Sequence, residues 1–168
     1  MSMNASHDEV ALLLGQMEKA ESVLARIARE YDGFLKTDFK LLGRKNTSAI
    51  VVAEFLVDYY TCLETCFLRI SQFFENNLRK EQWHADLLEK MTLRVEGLRE
   101  PVISDRTQTL LSELMKFRHF RRYYFELEYD WDKLTYLQMK FSEIRPRVDQ
   151  ELREFKEFLR RLQEDDAE

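Results

Sequence analysis

Apolar residues recur at steps of three and four along most of the chain, and this period is the feature that most limits the fold. Between Asp8 and Tyr31 they are Val10, Leu13, Leu14, Met17, Leu24, Ile27, Ala28 and Tyr31, with Glu, Lys and Arg between them. A repeat of 3.6 places such residues on one side of an α-helix, whereas a strand would divide them between two faces. The spacing predicts an amphipathic helix that stops near Gly33, then a connection from Asp32 to Asn46 with room for a short turn of helix. From Thr47 to Asn76 apolar residues fill most positions, and Glu54, Asp58, Thr61, Thr65, Arg69 and Gln72 form a narrow polar stripe. That pattern marks the central, most buried helix. A shorter helix is expected from Lys80 to Val95, with Trp83, Leu87, Leu88, Met91 and Val95 on one side and Gly97 and Pro101 beyond its end. Ser104 or Asp105 caps the next one, which carries Leu110, Leu114, Phe117, Phe120 and Tyr124 on one side. The last helix runs from Asp130 to Gln163, and Pro146 inside it removes a backbone donor, so a kink or a break into two is expected there.

Only 4 Gly and 2 Pro occur in 168 residues, which leaves too few turn formers for a meander of short strands. The length suits one domain with one core, residues 1–168, and about five amphipathic helices pack most simply as an antiparallel, all-α bundle. A bundle hosts many functions, so the residues on it must decide. The net charge of −5 excludes a basic coat for nucleic acid, and any RNA contact has to be focal. Met1 to Asp8 has no cationic run followed by an apolar stretch, and no segment reaches the ~18 uncharged residues of a membrane span. A cytoplasmic protein without membrane contact is expected. Cys62 and Cys66 stand four apart in an apolar segment, too close for a useful staple on a helix, and are expected as buried thiols in a reducing compartment. The three histidines, at 7, 84 and 119, are remote from them in sequence, so neither a metal site nor a cofactor is expected.

One segment carries chemical information. Between Lys116 and Arg122 four of seven residues are Lys or Arg, His119 is another, and no acid intervenes. Glu126, Glu128, Asp130 and Asp132 follow closely. Like charges this dense destabilise a helix, so the run is either a solvated face offset by the nearby carboxylates or a small anion site. In the second reading arginines offer forked donors to phosphate, and Phe117, Phe120, Tyr123, Tyr124 and Phe125 offer rings to bases. On an ideal helix Arg118, Arg122 and Phe125 share a face while Tyr123 points away. A dimer facing two copies across an axis would bring the cluster together, and its interface is expected to include the helix from Asp105 to Phe125.

The run Phe117-Arg118-His119-Phe120-Arg121-Arg122-Tyr123-Tyr124-Phe125-Glu126-Leu127, preceded by Leu111-Ser112-Glu113-Leu114, resembles the signature helix of HepT-like proteins in the HEPN superfamily. Phe55-Leu56-Val57-Asp58-Tyr59-Tyr60, with Leu63-Glu64, Phe67, Arg69 and Ile70 after it, is similar to that family's second helix. Trp83-His84 followed by Leu87-Leu88 and Met91 resembles its next element. Arg99 to Ser104 and Leu127 to Leu134 resemble the flanks of the signature helix. The likeness covers residues 48 to 135 in the right succession of blocks.

The resemblance implies an all-α HEPN bundle, usually a homodimer, with a motif of Arg, four residues, His, one residue, Tyr lining a cleft at the dimer interface. It also implies toxin-antitoxin chemistry: a metal-independent endoribonuclease restrained by a nucleotidyltransferase antitoxin of the MNT type, which adenylylates the motif tyrosine. Carried over by position, the arginine is Arg118, but Tyr123 stands at the histidine position and Phe125 at the tyrosine position. His119 is adjacent to the arginine, not five residues after it, and is no substitute by position. Imidazole exchanges a proton near neutral pH and a phenol does so poorly, so weakened or lost nuclease activity is expected. Arg118 and Tyr123 remain as catalytic candidates, and Arg118, Arg121, Arg122, His119 and Tyr124 as RNA-binding ones. With Phe125 lacking a hydroxyl, Tyr123 or Tyr124 becomes the candidate adenylylation site. The alternative is a non-catalytic RNA-binding or scaffold HEPN protein.

Overall fold

In a computed structural model that describes residues 7–75, 83–124, 126 and 128–165, the periodic segments form helices and no strand occurs among the described residues. The elements are α1 (His7–Lys36), α2 (Asp38–Leu42), α3 (Asn46–Phe74), α4 (Trp83–Lys90), α5 (Asp105–Arg122) and α6 (Trp131–Asp165). Side-chain pairs fix their directions. Lys156 to Glu21 and Arg145 to Asp32 run α1 against α6, and Arg106 to Glu143 with Lys133 to Glu113 runs α5 against α6. Tyr59 against Phe141 and Phe74 against Phe155 set α3 beside α6 in the same direction. The four long helices thus form an antiparallel all-α bundle in which the α3 and α6 pair is flanked by α1 on one side and α5 on the other. α4 closes one end against α3 and α5.

α3 holds the middle because its inward residues Ala49, Val52, Ala53, Leu56, Leu63, Phe67 and Ile70 are buried. Small alanines at 49 and 53 let neighbouring backbones approach, and the larger residues fill the remaining space. α6 supplies the opposing row Leu134, Leu137, Phe141, Ile144, Val148, Leu152, Phe155 and Leu159. This row explains why α6 is not divided at Pro146. An internal proline costs about 3 kcal/mol, while burying each Leu, Ile, Val or Phe gains about 1.5–3 kcal/mol, so the core on both sides outweighs it.

Three other boundaries differ from the sequence expectation. α1 passes through Gly33 to Lys36, since a glycine lowers helix propensity by only about 1 kcal/mol relative to alanine and Phe34 and Leu35 pack against the core beyond it. The fourth helix is shorter than Lys80–Val95. It ends at Lys90, residues 80–82 lie outside the described residues, and Val95 pairs in a single bridge with Arg99 around Gly97, whose φ of 72° suits glycine. The signature helix stops at Arg122, so Tyr124 is off the helix. Its start is as expected: the Ser104 hydroxyl accepts the Thr107 amide. Of the two cysteines, Cys66 is buried and its thiol is pushed up to about 12 by that burial. Cys62 is only half-buried, with its thiol donating to the Ala20 carbonyl.

The 90–103 turn is held by one side chain. Arg99 is buried, and its Nε donates to Glu75 Oε1 at 2.6 Å, its Nη1 to the Leu93 carbonyl at 2.8 Å and its Nη2 to the Lys90 carbonyl at 2.6 Å. The guanidinium thereby ties the end of α4 and the turn after it to the residue that follows α3.

Candidate functional site

Glu64 is the starting point, a carboxylate on the apolar side of α3 with 7% of its side chain exposed. Burying such a charge is costly unless it is paired, and here two groups pair it. Arg118 Nη1 of α5 donates to Oε1 at 2.6 Å, and His84 Nδ1 of α4 meets Oε2 at 2.7 Å. Arg118 Nη2 also approaches His84 Nδ1 at 3.2 Å. Guanidinium nitrogens only donate, and the carboxylate contact is the shorter one, so a proton on Nδ1 is better placed toward Glu64 than toward Arg118. The Arg118 guanidinium lies over the Tyr60 ring, 5.4 Å from its centroid. The Trp83 and His84 rings lie tilted at 33° with centroids 3.6 Å apart, and the His119 ring makes a T-shaped contact with His84 at 5.0 Å. Three helices therefore join one polar cluster: Glu64 and Tyr60 from α3, His84 from α4, Arg118 and His119 from α5.

Two members of the cluster, Arg118 and His119, reach a cleft of about 430 Å³ lined also by Val57, Thr61, Arg121, Arg122, Tyr124 and Tyr129. All five residues expected to contact RNA reach it, and their ion pairing differs. Arg118 is already compensated by Glu64. Arg121 forms an ion pair with Glu54 of α3, whose neighbour Asp58 has its carboxyl held above the usual range by burial and by Glu54. Arg122 is exposed and has no ion pair among the described residues. Burial first, then the positive surroundings of His84 and Arg118, hold the His119 imidazole below its ordinary value, while Glu64 pulls the other way. The neutral ring is favoured at neutral pH.

The aromatic residues separate as well. Phe120 stacks on Tyr124 with centroids 4.8 Å apart, and the Tyr124 hydroxyl donates to the Glu128 carbonyl. Tyr123 caps the helix with 71% exposure and is not part of the cleft lining. Phe125 lies outside the described residues. No set of three or more metal-binding side chains converges among the described residues, and no described helix is long and apolar enough to cross a membrane.

The family model described as HepT-like protein matches residues 51–159, which holds most of α3, all of α4 and α5, and most of α6. The chain belongs to the HepT-like family. It is a HEPN-type helical bundle, and the matched span contains every residue of the Glu64 cluster. No curated protein and no solved structure matches the chain. In this HepT-like chain Glu64 and His84 had no assigned role from sequence spacing, because 54 residues separate Glu64 from Arg118 and 34 separate His84 from it. One signal was available: Glu64 interrupts the apolar side of α3, three residues before Phe67 and four after Tyr60, where a lone carboxylate needs a partner.

Proposed function

We propose that this HepT-like protein is the toxin-side member of a toxin-antitoxin pair and binds RNA in the α3–α5 cleft. Two copies face each other across the α5 ends, and a nucleotidyltransferase antitoxin restrains them. The observation that carries the reading is the convergence of Arg118, His119, Arg121, Arg122 and Tyr124 on one cleft in a protein whose net charge is −5. A focal basic site on an acidic protein selects a phosphate ligand by position and repels it elsewhere. Arg122, exposed and unpaired among the described residues, supplies the first phosphate contact, and the Phe120 and Tyr124 stack supplies a ring surface for a base.

At the motif positions the chemistry is depleted, since Tyr123 replaces the histidine and Phe125 the tyrosine. Cleavage through those positions is weak. Tyr123 is the better of the two adenylyl acceptors because its ring is exposed, whereas the Tyr124 hydroxyl is engaged with Glu128. A nucleotide there would add negative charge beside Arg121 and Arg122 and compete with RNA for them.

Expression of the protein alone and with a candidate nucleotidyltransferase, reading growth, RNA integrity and intact mass together, tests the pairing. Growth arrest relieved by the partner, with one adenylyl mass lost in Tyr123→Phe, is the expected result. No growth effect, no RNA binding at low salt and no added mass would leave only a scaffold bundle. The engagement of Arg118 by Glu64 favours a second reading, in which the cleft binds RNA without cutting it.

A further inference from the structure

We propose that the groove between α1 and α3 docks an acidic amphipathic helix of a partner polypeptide, its apolar row over Ala20 and Cys62 and its carboxylates on Lys19 and Arg69. The groove lies on the other flank of α3 from the α5 cleft and owes nothing to RNA binding there. Two cavities of about 450 and 290 Å³ lie along the α1–α3 seam and share Gln16 and Arg69, which makes them one continuous trough. On α1 it runs from Leu12 to Val23, or ~16 Å at the helical rise, the length of about three turns. Its depth has a cause in the sequence. Ala20 of α1 meets Cys62 and Cys66 of α3 there, and the Cys62 thiol reaches the Ala20 carbonyl. Side chains this small close the seam near the backbone and leave space above it, the kind of hole that a leucine or phenylalanine knob fills. Leu12, 63% exposed, extends the apolar surface at one end.

Charge selects the partner. Lys19 and Arg69 are exposed on the two walls of the trough, one from each helix, and neither has an ion pair among the described residues. Along the α1–α6 seam, by contrast, Lys156 pairs with Glu21 and Arg145 with Asp32, so those cations are satisfied within the chain. Glu9, at the Leu12 end, is the one carboxylate in the described lining of the trough. Two cations facing each other on a chain of net charge −5 attract an acidic segment and repel a basic one. A helix with leucines at steps of three and four presents them on one side. With that row in the trough, glutamates on its two edges come within reach of Lys19 and Arg69.

The test titrates the full chain against a fluorescein-labelled peptide of about 16 residues, long enough to hold a helix, with leucines at helical spacing and glutamates beside them. A second peptide carries lysines in place of the glutamates. Wild type should bind the acidic peptide and not the basic one, with an affinity that weakens as salt is raised. Lys19→Glu combined with Arg69→Glu should weaken acidic-peptide binding by about tenfold or more and confer binding of the basic peptide, a reversal that misfolding cannot produce. Arg153→Glu, at an exposed position of α6 outside the trough, should change neither. Maleimide labelling of the half-buried Cys62, read by peptide mapping, should slow several-fold when the acidic peptide is bound. Failure of the folded wild type to bind either peptide overturns the assignment, as does binding that the double variant leaves intact. Self-association of wild type that protects Cys62 without peptide also overturns it, because the occupant is then a second copy. RNA affinity measured in parallel reports on the α5 cleft and not on the trough.

Discussion

Arg99 and Arg118 are both drawn into the protein against a glutamate, Glu75 just past α3 and Glu64 within it, yet they do different work. Arg99 has no exposed side-chain surface, and its three nitrogens are spent on Glu75 and on the carbonyls of Lys90 and Leu93. Arg118 is 17% exposed, donates to Glu64, and keeps one edge in a cleft beside His119 and Arg122. Donors committed to main-chain carbonyls make an arginine part of the fold. One held by a single carboxylate beside open space is available to a ligand.

Substituting the two by methionine should separate them most clearly. Arg99→Met strands a buried carboxylate and several carbonyls, and should lower stability by about 3–5 kcal/mol in urea unfolding. Arg118→Met should cost less stability and remove more RNA binding. Equal losses in both measurements would erase the distinction.

Glu64→Gln sharpens it from the other side. The variant should be less stable by about 1–3 kcal/mol through the weakened hydrogen bonds, yet bind RNA more tightly. Freeing the Arg118 charge should steepen the salt dependence of binding by about one unit of slope. A fall in affinity, read by fluorescence anisotropy at several salt concentrations, would mean that the carboxylate holds Arg118 in place for RNA and does not shield it.

Arg122→Ala removes a charge that nothing described neutralises. Stability should stay within about 0.5 kcal/mol of wild type, and the salt slope should fall by about one.

Arg145 marks the lower end of the scale, bonded through both Nη atoms to Asp32 at 2.8 Å in a half-exposed pair. That hydrogen bond holds the Asp32 carboxyl below the usual range. The folded state therefore gains stability above the unfolded value near 3.9 and loses it as pH falls through the lower folded value. Exposure limits the gain to about 0–1 kcal/mol. Melting curves of Asp32→Asn should lie slightly below wild type at pH 6 and merge with it near pH 2.

Legibility in the sequence follows the range of the physics. The helices were readable because a 3.6 period is local, and so was the Ser104 cap. Helix ends were less so: Gly33 and Pro146 are local breakers that burial of distant residues overrode, and the end of α4 depends on Arg99 reaching Glu75. The basic run from Lys116 to Arg122 was visible as composition. Its division into a compensated Arg118, a paired Arg121 and an Arg122 without an ion pair among the described residues was not, since it depends on Glu54 and Glu64 of another helix. His84 was hidden for the same reason, since its partners Glu64 and Arg118 lie 20 and 34 residues away on other helices.

The Arg99 contacts also bear on the order in which the chain assembles. Its link to Glu75 spans 24 residues, whereas Arg118 to Glu64 spans 54 and Arg145 to Asp32 spans 113. The closure entropy grows as the logarithm of loop length, so the longest of these costs about 1.4 kcal/mol more to close than the shortest. The turn around Gly97 is the cheapest of the three to assemble, and α1 docking on α6 the dearest. Pulsed hydrogen exchange during refolding should find amides near Met91 and Val102 protected before those at the α1–α6 contact.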